Sequence, residues 1–137
     1  MRVVFADTVD WIALANPQDS LFKIASDAAR RFGPYRIITS EMVLVEVLNG
    51  LAGEGGLLRW AASALAQDVI DDQDTVMVPQ STSLFREALV LYQARSDKQW
   101  SLTDCASFLI MRQQKITEAL TYDHHFEQAG FRALLRN

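Results

Sequence analysis

Four acidic residues, Asp7, Glu46, Asp104 and Asp123, stand where alternating strands and helices can bring them together. Asp7 directly follows the apolar, β-branched run Arg2–Ala6, and Asp123 comes two residues after the apolar part of another such run. Glu46 falls in the second turn of one predicted helix and Asp104 in the first turn of another. In an open parallel sheet, sites form just beyond the carboxyl ends of the strands. Carboxylates crowded there repel, and each one raises the cost of ionising the next. A hard divalent cation removes that repulsion, and Mg2+ or Mn2+ takes oxygen ligands of this kind. Such an ion activates water and neutralises charge on a phosphodiester, and two ions about 3.5–4 Å apart can flank a scissile phosphorus.

Each acid also has an ordinary structural explanation. Ser101-x-x-Asp104 reads as a capping box. Asp7 suits the positive end of a helix dipole, and Asp123 suits a turn. Glu46 is harder to place, because Val43-Leu-Val-Glu46-Val-Leu48 is apolar and a carboxylate there needs a partner, such as an Arg. Four independent structural acids explain the set less well than one site.

The elements that must position these acids follow from periodicity and breakers. Arg2–Ala6 reads as strand one, followed by a short helix with Trp11, Leu14 and Ala15 on its apolar face. After Asn16-Pro17, a helix runs from Leu21 to Phe32 and stops at Gly33-Pro34. Residues 36–39 form strand two, and Ser40 caps a helix that breaks in the glycine-rich stretch 50–56. A further helix takes up Leu57, Leu58, Trp60 and Leu65, and residues 71–74 form a polar turn. Strand three is 75–78, a helix follows over 81–95, and Ser101 opens another that reaches Gln114. Ile116–Thr121 is strand four, 123–130 is a loop or short helix, and 131–134 is a last short strand. Strands alternating with helices predict an α/β domain, with a parallel sheet of four to five strands and helices on both faces. No repeat or linker divides residues 1–137, so one domain is expected.

Composition narrows the function classes. With 17 acidic residues against 13 Lys and Arg, the net charge is −4, so contact with nucleic acid needs local basic patches or bound cations. The lone Cys105 excludes an internal disulfide and a Cys-based zinc site. It reads as a packing residue and fits a cytoplasmic location. The early apolar run is interrupted by Asp7 and Asp10, too soon for an export signal or membrane span. Gly53-Glu-Gly-Gly56 lacks the Lys-Ser/Thr of a phosphate loop. A receiver domain needs an Asp where Val78-Pro79 stands, and a dehalogenase-type phosphatase needs Asp-x-Asp, whereas two residues separate Asp7 from Asp10.

The segments Phe5-Ala-Asp7-Thr-Val-Asp-Trp11, Thr39-Ser40-Glu41 through Glu46, Ser101-Leu-Thr-Asp104-Cys-Ala-Ser-Phe108 and Leu120-Thr-Tyr-Asp123-His-His-Phe126 resemble, in order and spacing, those of PIN-domain ribonucleases. The resemblance runs over nearly the whole chain. It implies a three-layer α/β/α fold and endonucleolytic cleavage of RNA with Mg2+ or Mn2+. Asp7, Glu46, Asp104 and Asp123 match the family's catalytic, metal-holding acids, and Thr8, Thr103 and Thr121 match the hydroxyl residues that accompany them. Thr8 and Thr121 would orient the ligands, against an ordinary role in capping. The size matches VapC-type toxins, which implies a toxin held inactive by an antitoxin protein. Val9 and Asp10 stand where the family often has a small polar residue, and Asp10 is expected at the rim or exposed. Lys98 and His124 are candidate RNA contacts, against a solvated Asp97–Lys98 pair and an exposed rim position for both His124 and His125. Arg30, Arg31, Arg36, Arg95 and Arg112 read mainly as scattered surface charge. Leu57, Leu58 and Trp60 suit a homodimer interface as well as a core. The competing reading is a non-catalytic, PIN-like RNA- or protein-binding module.

Overall fold

A computed structural model describes residues 1–136. Five strands form one parallel sheet: β1 (Arg2–Ala6), β2 (Tyr35–Ser40), β3 (Thr75–Val78), β4 (Glu118–Leu120) and β5 (Arg132–Ala133), in the order β3-β2-β1-β4-β5. β1 lies at the centre, with Val4 beside Ile37 on one side and Phe5 beside Ala119 on the other. Its Val-Val-Phe-Ala run is what a strand covered on both faces requires, and Val4, Phe5 and Ala6 are fully buried.

The helices are α1 (Thr8–Ala15), α2 (Phe22–Phe32), α3 (Glu41–Leu51), α4 (Gly56–Asp71), α5 (Thr82–Ala94), α6 (Leu102–Gln113) and α7 (His124–Gln128). Right-handed crossovers in this strand order place α1–α4 over one face and α5–α7 over the other. The contacts agree: α1 packs on α2, α3 and α4, while α6 packs on α5 and α7. Helices α3 and α6, which carry Glu46 and Asp104, also touch each other. Under the second layer Phe108 stands edge-on to Trp100 and to Phe126, each at 4.9 Å between ring centroids.

The α/β architecture and the parallel sheet are as expected, with several local differences. The glycine-rich break is shorter than 50–56, because α3 continues to Leu51 and α4 already starts at Gly56. Gly55 supplies the φ of +98° needed at that turn. Leu57 and Trp60 are not core residues but stand 79% and 68% exposed. Strand four is shorter than 116–121: Lys115 adopts φ 58°, and the Ile116 N–H closes onto the Met111 carbonyl at 2.8 Å instead of joining the ladder. Residues after Asp123 form a helix, and the last strand shrinks to two residues before a 3-10 turn over Leu134–Arg136. No helix among the described residues is long and apolar enough to cross a membrane.

Candidate active site

The carboxyl ends of β1 and β4 set the site. The Asp7 N–H donates to the Leu120 carbonyl at 3.2 Å, so Asp7 leaves the sheet beside the end of β4 and opens α1. Thr39 fixes this corner from β2, donating to the Ala6 carbonyl at 2.8 Å and accepting from Trp11 Nε1 at 3.2 Å. Asp7 is 3% exposed. Thr121 Oγ1 donates to Asp7 Oδ2 at 2.9 Å and accepts from the Asp123 N–H at 3.0 Å. One hydroxyl thus ties the first and fourth acids together.

Asp104 satisfies the capping box and still faces the site. The Ser101 N–H donates to its Oδ2 at 3.0 Å, and its own N–H donates to Ser101 Oγ at 3.0 Å. Asp123 caps α7, accepting from the His125 N–H at 2.9 Å. His125 Nδ1 lies 3.1 Å from Asp104 Oδ2 and 3.2 Å from Asp123 Oδ1, bridging the two acids.

Electrostatics follow from the crowding. Burial, reinforced by the charges of Asp104 and Asp123, pushes the Asp7 carboxyl up to about 7 from an ordinary 3.8. Burial and the Asp123 charge also raise Asp104, against the pull of the Ser101 N–H and His125. Asp7 therefore feels the charges of Asp104 and Asp123, and Asp104 feels that of Asp123. Glu46 joins through Thr8, whose Oγ1 donates to Glu46 Oε1. Among the described residues its partner is this hydroxyl and not an Arg. The oxygen-only donor set of the four acids fits a hard cation such as Mg2+ or Mn2+. Among the described residues, the group whose ligand atoms lie within 4.8 Å of one another is Asp123, His124 and His125.

Several residues stand elsewhere than expected. Among the described residues the Thr103 hydroxyl makes no bond to the acids; its carbonyl accepts from Ser107 Oγ at 2.8 Å. Lys98 lies 3.7 Å from Asp97, the solvated pair. His124 is exposed as expected, 3.7 Å from Asp123. His125 is not at an exposed rim but half-buried against two acids, because α7 turns its ring back toward α6. Its signal in sequence was the Asp-x-His spacing, which lets a helix cap and its second residue face one point. Asp10 is neither at the rim nor exposed: it is 1% exposed, and neither carboxyl oxygen has a partner among the described residues.

Comparison with known proteins agrees with this geometry. Residues 4–132 match the model of the PIN domain. The 23S rRNA-specific endonuclease VapC20 of Mycobacterium tuberculosis, in strains CDC 1551 and H37Rv, is 30% identical over 133 residues, which cover 94% of this chain and 95% of the relative. The crystal structure of M. tuberculosis VapC20, a sarcin-ricin loop cleaving toxin, superposes with a TM-score of 0.83 at 27% identity, covering 93% of this chain and 95% of that one. A parallel five-stranded sheet that gathers acids at its carboxyl edge, and a family match over nearly its full length, lead to one conclusion: the chain belongs to the PIN domain family.

Proposed function

We propose that this chain is a toxin-type endoribonuclease that hydrolyses RNA phosphodiester bonds using Mg2+ or Mn2+. The observation that carries the reading is the burial of Asp7 beside Asp104 and Asp123, where desolvation first and the neighbouring charges second push its carboxyl up to about 7, a cost that a bound cation would offset. Asp7, Glu46, Asp104 and Asp123 would hold the ion, which when bound supplies an activated water and charge neutralisation at the phosphate. Thr121 and Thr8 fix the carboxylates of Asp7 and Glu46, and His125 fixes those of Asp104 and Asp123. His124 and Lys98 stand as candidate contacts to the RNA backbone.

The named relative acts on 23S rRNA, so ribosomal RNA is the first substrate to try. The toxin reading implies a cytoplasmic protein neutralised by an antitoxin. Exposed Leu57 and Trp60 at the start of α4 support a homodimer. One observation favours the non-catalytic alternative: the His125 ring lies 3.1 and 3.2 Å from Asp104 and Asp123 and engages carboxylate oxygens that an ion would take.

The test is incubation of ribosomal RNA and a mixed RNA pool with the protein in Mg2+, Mn2+ or EDTA, alongside Asp7→Asn. Metal-dependent cutting lost in the variant is expected. A variant that cuts as well as the parent sinks the site assignment, and no cutting under any condition favours the binding module.

A further inference from the structure

A groove opens beside the acids, along the carboxyl half of α5 and the loop that leads to α6. It has two adjoining cavities of about 380 and 500 Å3, and Tyr92, Gln99 and Trp100 line both. The first reaches Cys105, the direct neighbour of Asp104. The second reaches Ser101, whose N–H and hydroxyl hold Asp104. None of the four acids lines the groove, but through Ser101 it adjoins Asp104.

Its wall is rigid. Trp100 is 4% exposed, with its Nε1 donating to Gln128 Oε1 at 2.9 Å and its ring edge-on to Phe108. The Arg95 guanidinium stacks over the Trp100 ring at 4.9 Å and bonds both Asp97 oxygens, at 3.0 and 3.1 Å. These contacts fix the loop before any ligand arrives. Other groups there are unengaged. Tyr92 is half exposed, and neither its hydroxyl nor the Gln93 and Gln99 amides form a hydrogen bond among the described residues. Arg95 and Lys98 outweigh Asp97, which makes this loop locally positive on a chain of net charge −4.

An exposed aromatic face, free amides and a nearby ammonium are the groups that take up an unstacked nucleotide. The ring stacks on the base, an amide meets the base edge, and the cation meets phosphate. We propose that this groove binds a nucleotide of single-stranded RNA adjoining the scissile phosphate, with its base stacked on Tyr92, Gln99 at the base edge and Lys98 at the phosphate. The assignment rests on the ribonuclease reading for its position next to the cut. Binding to the groove itself is measurable without cleavage.

The test uses Asp7→Asn protein and two fluorescein-labelled probes: a short single-stranded RNA, and an abasic polymer of the same length. Adding Tyr92→Ala is expected to weaken binding of the RNA roughly tenfold, and Tyr92→Phe to keep it within about twofold. The abasic probe is expected to bind the Tyr92→Ala protein as it binds the Asp7→Asn protein. With the acids intact, Tyr92→Ala is expected to raise KM while kcat stays within about threefold. Equal RNA binding by Tyr92→Ala overturns the proposal, and so does an equal loss on the abasic probe. A shift in solution mass with unchanged RNA binding assigns this face to a second copy and also overturns it. Tyr92-dependent binding in a protein that cuts no RNA supports the groove and removes the nuclease reading alone.

Discussion

Asp7 is the residue at the centre of the proposed chemistry, and its environment makes a solution test possible. Its folded carboxyl titrates at about 7 and its ordinary value is 3.8, so the folded state binds the proton more tightly than the unfolded state. Stability from that proton is therefore fully present below about pH 4 and lost as the pH rises through about 7. The metal-free protein is expected to melt at lower temperature at pH 8 than at pH 5, with a weaker slope in Asp7→Asn. Asp10 adds to the same trend, because burial and the Asp7 charge hold its carboxyl well above the usual range. Removing an unpartnered buried carboxyl relieves a penalty of about 1–3 kcal/mol, so Asp10→Ala is expected to raise the melting temperature near pH 8. The meeting of Asp7 and Thr121 was readable from their place after strands. Asp10 was not, because α1 is covered by α2, α3 and α4 and buries a wider arc than one amphipathic stripe. His125 was missed for a related reason: its role depends on α7 folding back onto α6. His125→Ala is expected to lower the cleavage rate by about 10–100-fold, the usual loss when a ligand's hydrogen-bond partner is removed, with near-parental circular dichroism.

Elements place these residues through their caps and their shared core. Ser101 anchors both the start of α6 and the Asp104 carboxylate. Ser101→Ala is expected to cost about 0.5–2 kcal/mol in denaturant melts and to slow cleavage as well, since Asp104 loses its orientation. A substitution that costs only stability would place Asp104 outside the chemistry. Phe108, fully buried between Trp100 and Phe126, carries the second layer, and Phe108→Ala is expected to cost about 3–5 kcal/mol. At this scale most of the fold was legible: Val- and Ile-rich runs marked the strands, and Ser40 and Ser101 marked helix starts that the structure retains. The boundaries that shifted are those decided by contacts distant in sequence. Ile116 serves the end of α6 before the chain enters β4. Likewise the Leu135 N–H reaches the Thr121 carbonyl at 3.2 Å, curling the last segment into a 3-10 turn rather than a longer strand.

Across the whole molecule, an acidic chain must approach an anionic polymer. The net charge of −4 opposes RNA at long range, and the acid cluster deepens that opposition at the proposed point of cleavage. In the proposed reading, cation binding at the cluster would resolve the conflict, and the Arg95–Lys98 loop would add a local attraction beside it. The exposed Leu57 and Trp60 are a further whole-molecule feature. Trp60→Glu is expected to shift the solution mass from two copies to one, as read by light scattering; an unchanged mass would remove α4 from the interface. The most direct test of cation holding by the acids is electron paramagnetic resonance of Mn2+ titrated into the parent protein and Asp7→Asn at pH 7.5. The expected result is protein-bound Mn2+ in the parent and a large loss of it in the variant. Free Mn2+ throughout the titration of the parent, or equal binding by Asp7→Asn, would contradict a metal centre built on these acids.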